Sequence, residues 1–390
     1  MKIGIDARFV GPQGTGLGKY TEKLIENLKE IDKKNNYLIF LRRQNLNFLD
    51  FSKNKNFEKV LADVPWYTIE EQIKLPKIFT AQNLDVLHVP HFNAPIFYKG
   101  KKIVTIHDLI HHNFKESAST TKNPVIYRIK RFAYKKIISD AIYKSTKIIA
   151  PSNFVKEEII KTFKVNPEKI VVTYEAAEDT YFSPEKSASV LKKYKIKTPF
   201  ILYVGNAYPH KNLKNLLKAF AILVNSSRST VHSSSKTVNR EPTTDNLQIV
   251  IVCARDVFTK RLQKKIDDMH LTEWVTLTGY IEAEDLVKVF KSAEAYVFPS
   301  LSEGFGIPGL NAMAAGIPVA SSNIKTLKEI YGPAALYFNP NDVTEIKEKI
   351  HQIITSQKTK DDLIKKGSEQ VKKYSWRKMA EGTLAVYESI

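Results

Sequence analysis

Apolar residues in this chain come in short unbroken blocks, separated by longer stretches of helical periodicity. KIGIDARFV, NYLIFLRR, LDVLHVPH, KIVTIHDL and TKIIAPS read as strands, and several carry β-branched residues in unbroken apolar blocks, without the alternation of a half-exposed strand. Strands read this way when both faces are covered, as in a parallel sheet. Between them, KYTEKLIENLKEI and PVIYRIKRFAYKKIISDAIYKS repeat their apolar positions at helical spacing. A second series starts near residue 199 with PFILYVGN, LQIVIVCA, VTLTGY, AYVFPS, PVASS and ALYFNP. Helices around LKNLLKAFAILV, FTKRLQKKIDDM, EDLVKVFKSA and GLNAMAAG separate these blocks. Two βα series predict an α/β chain of two doubly wound domains, with ligands at the carboxyl ends of the strands. A length of 390 residues agrees, since one core rarely serves so long a chain.

The weakest join is the polar, proline-flanked stretch 183–197, which predicts domains at 1–185 and 195–374. The segment 226–246, SSRSTVHSSSKTVNREPTTDN, has hardly an apolar residue and cannot offset its own ordering entropy. It predicts a disordered insertion after a helix of the second domain.

Charge adds a question. Lysine and arginine (60) exceed aspartate and glutamate (41) by 19. Nucleic acid, an anionic membrane surface and an anionic small substrate would each suit that excess. Many of the lysines are interleaved at helical spacing and fit solvated faces equally well. The helix PVIYRIKRFAYKKIISDAIYKS sets Arg128, Lys130, Arg131, Lys135 and Lys136 among aromatic and aliphatic residues, which suits anionic lipid as well as a solvated basic face. No apolar run approaches the roughly 20 residues that span a bilayer, and no signal-peptide pattern follows Met1. The expectation is a cytoplasmic protein, with peripheral contact to the inner face of the plasma membrane where that helix meets lipid. The single Cys253 lies in the apolar run LQIVIVCA and reads as a core thiol.

The chemistry concentrates in AYVFPSLSEGFGIPGLNAMAAGIPVASS. A buried strand ends at Pro299, a loop with Glu303, Gly304, Phe305 and Gly306 follows, and a small-residue helix starts near Pro308, where proline suits the first turn. Glycines let backbone approach a ligand, and the helix N-terminus offers free N–H groups to an anion. A carboxylate beside an anion is repelled, so Glu303 reads as an acceptor for the hydroxyls of a neutral polyol. Asn311 lies about two helical turns further on.

This segment resembles the signature of retaining glycosyltransferase family 4, the group-1 glycosyltransferases of GT-B fold, and mannosyltransferase- or rhamnosyltransferase-like members in particular. The resemblance covers nearly the whole chain. It implies two Rossmann-like domains facing a central cleft, and a reaction in which a nucleotide-diphosphate sugar gives up its glycosyl group to an acceptor with retention. Glu303 stands where the family's first glutamate contacts donor hydroxyls. Asn311 stands where a second glutamate holds the ribose, and an amide there hydrogen-bonds without charge, at about half the strength. GIDARFV with Gly14, Gly16 and Gly18 looks like the family's N-terminal glycine loop, although an ordinary tight turn fits those residues too. VTIHDL places His107 and Asp108 at a strand end, where the resemblance implies that His107 orients the donor sugar. In YVGNAYPHKNL, Gly205 ends a strand and Lys211 matches the lysine that meets the pyrophosphate; Asn206 stands where an arginine is frequent. Arg255 and Tyr280 fall where the nucleotide base pocket is lined. Glu329 resembles a recurrent glutamate on the helix after the donor site. The closing segment 375–390 resembles a C-terminal helix that packs back onto the N-terminal domain, anchored by Trp376.

The reading implies no cofactor beyond the nucleotide-sugar co-substrate, no obligatory metal, and a glycan or lipid-linked acceptor of cell-surface polysaccharide synthesis. His88, His91, His111 and His112 show no metal-ligand spacing. A nucleic-acid-binding protein would share the charge, but no RNA- or DNA-binding motif is present. A nicotinamide-dependent dehydrogenase would need a Gly-x-Gly-x-x-Gly turn directly after a strand, and the first loop has the wrong spacing. A nucleotide-sugar epimerase or a phosphorolytic relative stays open.

Overall fold

The computed structural model describes residues 1–11, 15–113, 124–182, 185–231 and 246–390. These divide into two units: residues from 1–175 together with Ser375–Ile390, and Ala176–Tyr374.

The first unit holds a seven-stranded sheet of β1 (Lys2–Asp6), β2 (Asn36–Leu41), β3 (Phe57–Leu61), β4 (Val86–Val89), β5 (Lys102–Thr105), β6 (Lys147–Ala150) and β7 (Ile170–Val172). Its order is β3-β2-β1-β4-β5-β6-β7, with every pair parallel. The second unit holds β8 (Phe200–Val204), β9 (Gln248–Val252), β10 (Val275–Leu277), β11 (Ala295–Phe298), β12 (Val319–Ser322) and β13 (Ala335–Phe338) in the order β10-β9-β8-β11-β12-β13. Chain order reverses direction at β1/β4 in one sheet and at β8/β11 in the other. Loops leaving the carboxyl ends of those pairs emerge side by side, which is where doubly wound sheets bind ligands. β1, β2, β4, β6, β8, β9, β11 and β12 are apolar and buried almost throughout, as strands sandwiched between helices must be.

Every strand expected from an apolar block is present, and β3 and β7 are added. Both lie at sheet edges, and FEKVL and IVV are short and partly exposed, so neither forms the unbroken block that marks a central strand.

The join between the units lies at Glu175/Ala176, before the polar stretch 183–197 that composition points to. Residues after 176 already pack on the second unit: the Tyr181 ring meets Phe290 edge-on at 5.1 Å, and Lys193 pairs with Asp285 at 2.6 Å. Polar composition there marks an exposed surface of the second unit. The helix Leu213–Val231 runs into the polar segment expected to begin at 226, and residues 232–245 lie outside the described residues. Among the described residues no helix is long and apolar enough to cross a membrane.

The helix Trp376–Glu388 returns to the first unit and packs on the helix Thr15–Ile31. Trp376 and Tyr387 are buried there. Tyr387 reaches His88 on β4, its hydroxyl 2.6 Å from Nδ1, while His88 Nε2 lies 2.9 Å from the Thr105 hydroxyl. Burial pushes the His88 imidazole down to about 3, with His107 adding to the effect. The ring is neutral in the fold, whereas the unfolded ring takes up a proton near the ordinary 6.5. Between those values the unfolded chain binds the extra proton, so the stabilisation is complete above 6.5 and is lost as pH falls. Urea unfolding from pH 6.5 to 4.5 should show a stability loss that His88→Gln reduces by about 1.4 kcal/mol per pH unit. An identical pH slope in that variant would show that His88 is not held neutral.

Candidate active site

The second unit brings together the two side chains that the sequence reading puts at the centre of the chemistry. Lys211 closes a short 3₁₀ turn (Pro209–Lys211) after β8, and Glu303 lies in the loop after β11, the neighbouring strand at the reversal point. The Lys211 ammonium donates to both carboxylate oxygens of Glu303, at 2.7 and 2.9 Å. Both side chains are nearly buried, at 14% and 10% exposure, which strengthens the attraction over that of a surface pair. The ammonium also lies over the Phe298 ring, 5.8 Å from its centroid.

The surrounding backbone holds this pair in place. Leu301 N–H donates to the His210 carbonyl at 2.7 Å, tying the β11 loop to the 3₁₀ turn. Asn212, buried and left-handed at φ +59°, donates through Nδ2 to the carbonyls of Pro299 (3.1 Å) and Pro340 (2.7 Å). Thr326 Oγ1 donates to the Glu303 carbonyl at 2.9 Å. Beneath lie the phenols of Tyr203, Tyr296 and Tyr331. Burial pushes each well above its ordinary range and the nearby Glu303 carboxylate adds to the shift, so they stay protonated donors.

Gly306 caps the helix Ile307–Ala314 at φ +102°. Its carbonyl accepts from Tyr331 OH at 2.6 Å, and a Cβ there would stand 2.6 Å from that hydroxyl and 2.7 Å from Leu327. Packing of the helix Lys325–Tyr331 therefore accounts for this glycine, where the sequence reading assigns it to ligand approach. Gly304 and Phe305 complete the loop; Phe305 is buried edge-on against Tyr374. Pro308 removes one N–H from the first turn, leaving fewer backbone donors for an anion than a free N-terminus has.

Asn311, 6% exposed, is engaged by its own unit: its Oδ1 accepts from Glu178 N–H at 3.0 Å. The Nδ2 side of that amide carries donors, where a carboxylate would offer acceptors. Gly205 follows β8 at φ +151° and donates to the Val252 carbonyl at 3.0 Å. Arg255 and the turn at Gly279 are brought together: Gly279 has φ +76°, and a Cβ on it would meet Arg255 Nε at 2.6 Å. Tyr280 is 70% exposed, with its hydroxyl toward Glu282. Cys253 is buried, and its thiol is pushed up by that burial.

The first unit holds the remaining candidates. His107 follows β5 with both ring nitrogens facing acceptors: Nδ1 lies 3.0 Å from Glu175 Oε1 and Nε2 lies 3.2 Å from the Pro90 carbonyl. The Pro90 carbonyl can only accept, so Nε2 is the donor in that contact. Tyr20 packs edge-on against the ring at 4.7 Å. Gly16 lies one turn before Tyr20 on the same helix, and a Cβ there would meet nothing within 4 Å. Gly18 differs, since a Cβ would collide with the Phe9 carbonyl; Gly14 lies outside the described residues.

Several positions escape sequence reasoning. Asn212 leaves a faint signal, an asparagine directly before a helix, where left-handed backbone suits it. Thr326, Glu175 and the Glu178 amide carry none, because each acts across a long sequence separation.

Residues 16–178 match the family model "Glycosyltransferase Family 4" and residues 187–370 match "Glycosyl transferases group 1". O-antigen chain mannosyltransferase B of Escherichia coli is 28% identical over 307 residues, 78% of this chain and 74% of that protein. O-antigen chain mannosyltransferase RfbU of Salmonella typhimurium is 25% identical over 353 residues, 88% of each. Among solved structures, sucrose-phosphate synthase from Thermosynechococcus elongatus matches with a TM-score of 0.76 at 18% identity, covering 100% of this chain and 98% of the other. Anabaena HepE, solved in complex with UDP-glucose, matches with a TM-score of 0.71 at 14% identity over 100% of each chain. At such identities the structural likeness carries the fold alone. With a family model on each unit, the chain belongs to the group 1 glycosyltransferases and has their GT-B fold.

Proposed function

We propose that the enzyme transfers a hexose, with mannose from GDP-mannose the leading choice, to a glycan or lipid-linked saccharide in cell-surface polysaccharide synthesis. Configuration is retained and no metal is obligatory. The observation that carries this reading is the Lys211–Glu303 pair, set at the strand-end reversal point inside the group 1 match. The choice of mannose is supported by the names of the two relatives, both O-antigen chain mannosyltransferases.

In this reading Lys211 offsets the negative charge of the departing nucleoside diphosphate, the task for which other enzymes recruit a metal ion. Glu303 accepts hydrogen bonds from hydroxyls of the transferred sugar. Its carboxylate tolerates a neighbouring diphosphate because Lys211 lies against it. Arg255 and Tyr280 line the base pocket, Gly205 and the Gly304–Gly306 loop flank the diphosphate, and the Asn311 amide offers donors to the ribose. His107, gripped by Glu175, presents a fixed ring to the sugar, and Gly16 leaves room for a ligand beside its helix. As the anomeric carbon separates from the diphosphate oxygen, the acceptor hydroxyl oxygen bonds to it on the same face and passes its proton to that departing oxygen.

We also propose peripheral contact with anionic membrane through the helix Pro124–Lys144. Ile129 (63%) and Phe132 (75%) are exposed among Arg128, Lys130, Lys135 and Lys136, with Arg131 half-buried beside them. Exposed apolar side chains flanked by cations suit the headgroup boundary of such a membrane.

Assayed with GDP-mannose in EDTA throughout, the parent should turn over. Glu303→Ala and Lys211→Ala should each lose about 10³-fold or more while keeping the parent's circular dichroism. Full activity in either variant would remove the assignment. In co-sedimentation, the parent should bind phosphatidylglycerol vesicles at low salt and release them at high salt. Ile129→Ser with Phe132→Ser should weaken that binding, and no binding of the parent at low salt would remove the membrane contact.

A further inference from the structure

Phe9, Trp66, Tyr67 and His91 form an aromatic ledge in the first unit that the chemistry above leaves unused. They come from three loops, each following the carboxyl end of a strand: Phe9 after β1, Trp66 and Tyr67 after β3, and His91 after β4. Phe9 stacks flat on Trp66, with centroids 4.6 Å apart and planes 4° from parallel. It lies 5.3 Å from the His91 ring, and Tyr67 meets Phe9 and His91 edge-on at 6.4 and 5.9 Å. Tyr67 is 61% exposed, so its ring is open to a ligand.

The ledge is fixed from beneath. Tyr67 has φ +58°, a conformation that costs a bulky residue free energy and persists only when its surroundings hold it. Its N–H donates to Glu71 Oε2 at 2.8 Å. Glu71 is fully buried, and it also accepts from Arg8 Nη2 and Asn93 Nδ2, each at 2.6 Å. Arg8 in turn holds Asp6 through two contacts of 2.8 Å. His91 is buried too. Asn93 N–H donates to its Nδ1 at 3.2 Å, which leaves the ring hydrogen on Nε2, 3.5 Å from the Tyr67 hydroxyl. Burial pushes His91 well below its ordinary range, so the imidazole is a neutral donor.

Position gives the ledge its meaning. The Pro90 carbonyl that accepts from His107 belongs to the residue directly before His91. A ligand on the ledge therefore lies beside the ring expected to face the transferred sugar. The chemistry on offer at Tyr67 and His91 is a ring face with neutral hydrogen-bonding groups at its edge; Arg42 lies over the Trp66 ring at 5.4 Å and pairs with Asp63 at 3.6 Å. That chemistry suits an uncharged polyol with an apolar C–H face, which a pyranose is.

We propose that this ledge is the saccharide subsite for the acceptor: Tyr67 stacks on the C–H face of a pyranose, and its hydroxyl, steadied by His91 Nε2–H, meets the sugar's hydroxyls. This rests on the glycosyl-transfer reading. Ligand-observed saturation-transfer NMR tests it, with methyl α-mannopyranoside and an α-linked mannobiose as probes. The comparison is between the parent and Tyr67→Asn, since asparagine tolerates positive φ and removes the whole phenol. The parent should transfer saturation to the sugar's ring protons, and Tyr67→Asn should bind about tenfold more weakly with an unchanged melting temperature and GDP affinity. Equal transfer in both proteins, or none to either saccharide in the parent, would overturn the subsite. Turnover separates the two readings. A saccharide signal lost in Tyr67→Asn, with no nucleotide sugar turned over by the parent, keeps the subsite and removes the reaction. A raised acceptor KM at unchanged donor KM in Tyr67→Asn supports both.

Discussion

An ammonium and a carboxylate, nearly buried and locked together, are the contact on which the proposed donor site rests. Isolated, either charge would be costly in so dry a position; together they make a locally neutral pair whose partners have opposite tasks. In the proposed reading the cation answers a diphosphate and the anion answers sugar hydroxyls. The sheet makes the pairing possible. β8 and β11 are neighbours although far apart in the chain, so the turn after one and the loop after the other leave the same edge together. Asn212 and the Leu301–His210 hydrogen bond then fix the two segments, and Thr326 holds the backbone of Glu303 itself.

The same logic changes the meaning of the glycines. From sequence, Gly304, Gly306 and Gly18 all suggest backbone laid open to a ligand. In the fold, Gly306 is required by Tyr331 and Leu327, and Gly18 by the Phe9 carbonyl. Gly16 and Gly18, which the sequence reading puts in a loop, lie on the helix Thr15–Ile31, and Gly16 has open space where a side chain would go. A glycine-rich loop reports that something comes close to the backbone, and here that something is often the protein.

Much of the fold was legible because parallel strands are written as apolar blocks, and eleven such blocks became strands, the edge strands β10 and β13 among them. The edge strands β3 and β7 were not legible: Glu58 and Lys59 break the apolar run of β3, and β7 is three residues directly after a polar turn. The domain join was misplaced because 183–197 is polar at the surface of the second unit, while burial of Tyr181 near the true join leaves no mark on composition. Glu303 and Lys211 stood out by their motifs, but their contact spans 92 positions and belongs to topology. Asn311 stood out as a departure from the family pattern, yet its bond to the Glu178 amide was hidden in the same way. Relatives carry the reaction class; the side-chain geometry supplies a reason why a carboxylate and a phosphate can share one site.

Isothermal titration of GDP and of GDP-mannose into the parent, Glu303→Ala, Lys211→Ala and the double variant tests the division of labour within the pair most directly. The account predicts that Lys211→Ala weakens both ligands. Glu303→Ala should hold GDP at least as tightly as the parent while losing the added affinity for the sugar, and the two effects should be coupled in the double variant. Equal losses of GDP and GDP-mannose affinity in Glu303→Ala, additive with those of Lys211→Ala, would contradict it.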